Sequence, residues 1–196
     1  MVNDVRVIAR RSVGFSHSKL EEFIHDDFLD YAGVRDAFTG VDACLFCLGI
    51  SVMQVPDESA YRRITHDFAL AAALALKTIS PKAIFHYISG QGTKRDSRMM
   101  WARVKAQTEQ ELIALMPSVG WRPAFINGEA SANSPMLFKI LKPALKLLKP
   151  FRSLYVEGQD LGWAMIQATT ENIDGRVIEN SEIREIAKRY LLSAIN

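Results

Sequence analysis

The 196-residue chain is short of cysteine, of long apolar runs and of any surplus of charge. Each shortage excludes a class of protein. Two cysteines cannot build a disulfide framework, and no second pair completes a zinc site. The longest apolar stretch, residues 68–76, is about half the length that a membrane span requires. The opening, MVNDVRVIARR, meets charge before any apolar run, which is not the pattern of a secretory signal. A net charge of +2 supplies no general field for nucleic acid. What is present is ordinary: 48% hydrophobic and 23% charged residues place the chain among globular domains. The expectation is one cytoplasmic α/β domain with no nucleic-acid partner and no integral membrane segment.

The two cysteines stand as Cys44-Leu-Phe-Cys47 inside an apolar run, residues 43–48. That run reads as a buried strand, and residues three apart on a strand point to opposite faces. Both thiols are therefore expected in the core, not in a redox pair. The four histidines show no ligand spacing, and no metal site is expected.

Short apolar runs alternate with helix-period segments, as βα units of a parallel sheet require. Strands are predicted at 5–9, 22–25, 43–48, 83–88 and 121–126, with a short one at 177–179. Pro123 confines the fifth to an irregular or edge role. Helices are predicted at 34–38, after Pro56 with Asp57 as N-cap, at 97–116, near 160–169, and from Ser181 onward. Lys139, Lys142, Lys146, Lys149 and Arg152 line one side of a further stretch that Pro143 and Pro150 interrupt. It reads as a surface helix in preference to a membrane-binding one.

Four segments taken in order carry a resemblance. VRVIARRS is similar to a second Rossmann strand with cofactor-selecting residues at its tip. HDDFLDYAGVRDAFTGVDACLFCLG is similar to the third strand, a small helix and the fourth strand. FHYISGQGT followed by MMWARVKAQTEQEL is similar to a serine-bearing strand and a lysine-bearing helix. WRPAFI is similar to the Arg-Pro strand that comes next. Together they resemble the atypical short-chain dehydrogenase/reductases of the NAD(P)-binding Rossmann class, in the NmrA-like and Tat-interacting-protein-like branch often labelled epimerase.

The resemblance implies an α/β Rossmann-like parallel sheet with helices on both faces, spanning residues 1–196, with 128–196 forming a smaller substrate-side lobe. It implies Ser89, Trp101 and Lys105 at the catalytic positions. It places Arg10, Arg11, Asp27, Phe28, Leu48, Gly49, Lys105 and Pro123 along the cofactor. Arg10 and Arg11 would favour the 2′-phosphate of NADP(H), or else are two solvated arginines ending a strand. Asp27 and Phe28 would border the adenine, or else form a strand-ending turn. Gly49 is equally a turn glycine, and Ser89 equally a turn or helix cap.

Two departures qualify the activity. The family's YxxxK reads Trp101-Ala-Arg-Val-Lys105 here, and an indole N–H donates without titrating, so Trp101 cannot act as general acid. Tyr87, two residues before Ser89, shares its sheet face and is either a stand-in for the missing acid or, as the default reading, a buried strand tyrosine. The Gly-rich turn that would hold the pyrophosphate is also missing, as though one βα unit of roughly 30 residues were absent. NADP binding is therefore expected to be weak or lost, and any reductase or epimerase activity on a small-molecule substrate impaired. The alternative is a non-enzymatic interaction or regulatory protein. In the order 3-2-1-4-5-6 the absent strand is central. The strands at 5–9 and 43–48 would each lose a neighbour, and homo-oligomerisation through those edges is expected ahead of their closing up together.

Overall fold

A computed structural model describes residues 2–127 and 154–195; the basic stretch at 139–152 lies outside them. β1 (Val5–Ala9) and β2 (Leu20–Ile24) pair in parallel as a two-stranded sheet. β3 (Ala43–Phe46), β4 (Ile84–Ile88), β5 (Ser118–Arg122) and, after two further strands, β8 (Arg176–Glu179) form a parallel four-stranded sheet in that order. The intervening β6 (Phe125–Asn127) and β7 (Tyr155–Glu157) pair with each other.

The helices follow local sequence chemistry. Asp57 accepts a hydrogen bond from the Ala60 amide at 2.8 Å and opens α1 (Glu58–Arg62), as its position before an apolar-periodic run predicts. One π-helical turn, Arg63–Asp67, joins α1 to α2 (Phe68–Ile79). Eight of the twelve residues of α2 are Ala or Leu, among the strongest helix formers. α3 (Met100–Leu115) follows β4, while α4 (Gly158–Thr170) and α5 (Asn180–Ile195) flank β8. A 3-10 segment, Ala32–Phe38, precedes β3.

Two cores lie on opposite faces of the larger sheet. Phe46, Phe85 and Tyr87 pack against Ala72 and Leu76 of α2 and Leu112 of α3. Ile84, Val119, Trp121 and Ile178 pack against Ala164 of α4 and Ile183 of α5. β4 is buried on both faces, which explains a run that is apolar but for His86. Each large side chain hidden here contributes about 2–3 kcal/mol in transfer free energy.

Two expectations need correction. β5 starts at Ser118 and ends at Arg122, one residue before Pro123, and it is an interior strand between β4 and β8. Proline has no N–H for a ladder, so the chain leaves this sheet and resumes as β6 in another. Cys44 packs against the first core, but Cys47 lies beyond the end of β3 and is exposed. Burial raises the Cys44 thiol to about 12, with Cys47 adding to the shift. The strands at the two sides of the expected gap stay apart, in keeping with closure being the less favoured outcome: among the described residues β1 pairs only with β2, and β3 only with β4.

Candidate functional site

The C-terminal ends of β4 and β5 meet the start of α3, and the candidate residues gather there. Ser89 directly follows β4. Its amide donates to the Trp121 carbonyl at 2.7 Å, and its Oγ shares a 2.8 Å hydrogen bond with Thr93 Oγ1. The turn between them folds on itself, with the Thr93 amide donating to Gly90 at 3.1 Å and the Gln91 amide donating to the Pro123 carbonyl at 2.9 Å. Gly92 sits at φ +86°, a conformation that favours glycine, and a Cβ there would stand 3.6 Å from the Trp101 ring.

Lys105 lies one helical turn beyond Trp101 on α3, so the two share a face. Its Nζ donates to the Ser89 carbonyl oxygen. Burial pushes the ammonium down to about 8, and the charge of Glu109 works against that shift. Glu109 is the next member of this helix face. Its buried carboxylate takes Arg122 Nε at 3.0 Å and Nη2 at 2.6 Å, while Arg122 Nη1 reaches Glu179 at 2.9 Å. Gly120 permits this approach: a Cβ there would lie 3.2 Å from Glu109 Cγ.

Ser89, Trp101, Lys105 and Pro123 are thus brought together. Arg10 and Arg11 are exposed just past β1, and Gly49 is exposed past β3, with Leu48 partly packed on the first core. Asp27 accepts from the Leu29 amide at 3.0 Å, the strand-ending turn that was its other reading. Phe28 is only 7% exposed and packs with Tyr31 and Phe68, so its ring belongs to the first core. Tyr87 is likewise buried; its hydroxyl donates to the Thr65 carbonyl at 3.2 Å, and burial raises its pKa. It is no replacement for a surface acid. A cavity lined by Asp42, Lys82, Thr169 and Asn172 lies at the N-terminal ends of β3 and β4, away from this cluster. Among the described residues no group of three or more His, Cys, Asp or Glu side chains could hold a metal ion.

Thr93 and Glu109 escaped the sequence reading. The signal for Glu109 was available in outline: an isolated Gly inside a strand marks a close approach, and Gly120 is where Glu109 enters. Chemically, the cluster offers the Lys105 cation, the paired hydroxyls of Ser89 and Thr93, and the Trp101 indole. Of these only Lys105 exchanges a proton near neutral pH.

No protein-family profile and no curated protein matches the chain. Solved structures do. The Bordetella bronchiseptica enzyme WbmF in complex with NADH aligns with TM-score 0.69 at 12% identity, over 96% of this chain and 68% of that one. The Helicobacter pylori ADP-L-glycero-D-manno-heptose-6-epimerase gives 0.65 at 16% identity, over 96% and 74%. The Bacillus anthracis dTDP-4-dehydrorhamnose reductase in complex with NADP gives 0.62 at 15%, over 100% and 82%. At these identities the likeness is one of fold. The chain therefore has a Rossmann-like α/β fold, the fold class expected from its sequence.

Proposed function

We propose that the chain is an NADP(H)-binding protein of the reductase/epimerase type whose affinity for the cofactor is low and whose carbonyl chemistry is impaired. The observation that carries this reading is Lys105 Nζ held at the Ser89 carbonyl, with Trp101 one turn earlier beside Gly92. The residues fit the cofactor in part. Lys105 and Ser89 are suited to its ribose–nicotinamide half, and the free guanidinium faces of the exposed Arg10 and Arg11 suit a 2′-phosphate. Among the described residues no strand is followed by a GxxGxxG turn that would cradle a pyrophosphate; the close pair Gly90 and Gly92 after β4 has Arg95 where a third glycine would stand. Losing those charge-assisted bonds costs on the order of 3–5 kcal/mol, or roughly two to three decades in affinity.

A bound nicotinamide would supply or accept hydride. This chain's own residues then have to move the proton, and Trp101 cannot. Lys105 carries the ionisable proton at the site, in a setting that keeps it near neutrality. A small-molecule carbonyl or sugar-like compound is the substrate class the fold accommodates, and loops that vary freely on this scaffold choose among them. Calorimetric titration tests the reading. NADPH should bind in the high micromolar to millimolar range and better than NADH, and Arg10→Ala with Arg11→Ala should erase the preference. Low-micromolar NADPH binding, or a preference for NADH, would overturn it.

A further inference from the structure

The cavity at the N-terminal ends of β3 and β4 lies at the opposite end of the strands from Ser89 and Lys105 and takes no part in the reading above. Its volume is about 360 Å³, within the range of about 300–1,000 Å³ that suits a small organic molecule. Three pinned pieces of backbone wall it. The Asp42 carbonyl accepts from the Ile84 amide at 3.0 Å, which ties the start of β3 to the start of β4. The Ala83 amide donates to the Ser80 carbonyl at 3.0 Å and holds the turn that carries Lys82. The last turn of α4 is tied to β4 through His86. Trp121 Nε1 donates to His86 Nδ1 at 3.0 Å, so the ring proton sits on Nε2 and is donated to Thr169 Oγ1 at 2.9 Å. Thr169 donates in turn to the Met165 carbonyl at 3.0 Å.

The lining has two electrostatic ends. Asp42 brings a carboxylate, and α4 ends in the same wall at Thr169 and Thr170, where a helix C-terminus carries partial negative charge. Lys82 brings an ammonium. Opposite charges on one cavity ordinarily pair. Here the Asp42 and Lys82 side chains make no ion pair or hydrogen bond with each other or with any other described residue. Asn172 stands beside them. It closes α4 at φ +52°, in the left-handed region that Asn tolerates, with its amide on the Thr169 carbonyl at 3.1 Å. Its carboxamide bonds no described residue, so both its donor and its acceptor are available. The rest of the wall is apolar, from Val41, Ala83 and Ile84.

We propose that this cavity binds a small zwitterion of amino-acid type, with its ammonium toward Asp42 and the end of α4 and its carboxylate toward Lys82. A ligand carrying both charges bridges two side chains that do not reach each other, and its short carbon chain lies against Val41 and Ile84. A singly charged ligand satisfies one end and meets like charge at the other: a carboxylate faces Asp42, an ammonium faces Lys82. The inference rests on the cavity alone and stands or falls apart from cofactor binding.

Amide NMR titration of the full chain tests it. The probes are glycine and 4-aminobutyrate, with butyrate and butylammonium as singly charged matches of the second. At least one zwitterion should shift the Asp42, Lys82, Ala83 and Asn172 amides saturably in the millimolar range. Butyrate and butylammonium should each bind at least about fivefold more weakly, the share of one exposed ion pair. Asp42→Asn and Lys82→Met, both at exposed positions where substitution leaves the fold intact, should each weaken the zwitterion by about fivefold. Three results would overturn the proposal: no saturable shift with either zwitterion, equal binding of butyrate or butylammonium, or zwitterion affinity that survives either substitution.

Discussion

Lys105 on α3 donates from Nζ to the carbonyl of Ser89 at the end of β4, which ties the one titrating cation of the cluster to the backbone of the strand it serves. Burial of the same ammonium decides how the lysine responds to pH. Its folded value of about 8 lies below the ordinary 10.5, because burial disfavours the charge. Between these two values the unfolded chain binds more protons than the folded one. Stability therefore rises with pH across this window, and the burden of a buried ammonium is fully present below it. Urea unfolding at a series of pH values should show the rise, and Lys105→Met should remove it.

Trp101 gives the sharpest test of chemistry. A positioned general acid contributes on the order of 100-fold or more, and an indole contributes none of it. Single-turnover hydride transfer from saturating NADPH to a small ketone should increase about 100-fold in Trp101→Tyr. Brisk turnover by the unsubstituted chain would mean that another acid serves the site.

Arg122 and Glu109 form a bidentate pair in which the carboxylate side chain is 2% exposed. Arg122→Met strands that carboxylate without a counter-charge and should cost about 3 kcal/mol. Glu109→Gln keeps a neutral partner and should cost less. Chemical denaturation of the two variants distinguishes a buried pair from an ornamental one, since equal and small losses would show that Glu109 is reached by water.

His86 is fully buried between strands and helix, accepting from Trp121 Nε1 at 3.0 Å and meeting Thr169 Oγ1 at 2.9 Å. Burial lowers its pKa from 6.5 to about 4. Folded, it binds fewer protons than unfolded in that interval, so the stability it permits is complete above pH 6.5 and is lost as pH falls toward 4. The loss is on the order of 3 kcal/mol. His86→Gln should be less stable at neutral pH and should show a flatter acid limb in thermal melts.

The chain's local chemistry determined which elements exist. The Ala/Leu run of α2, the Asp57 cap and the apolar run of β4 are each written within a few residues of one another, and periodicity and capping act at that range. Pro123 determined where β5 had to stop, because a missing N–H is a property of one residue. The clustering of Ser89, Trp101 and Lys105 was legible only through resemblance in segment order. Tertiary structure alone decided the rest. Whether Phe28 met a ligand or the core depended on Tyr31 and Phe68 closing over it, and Cys47 was freed because β3 ended one residue before it. The partner of Glu109 depended on a strand that follows in sequence but lies beneath it in space, at a glycine that admits the carboxylate. Likewise the division of β1 and β3 between two sheets among the described residues is a matter of which strands come to lie side by side. Pairing is a long-range choice, settled by packing against a common core, and no spacing within either strand records it.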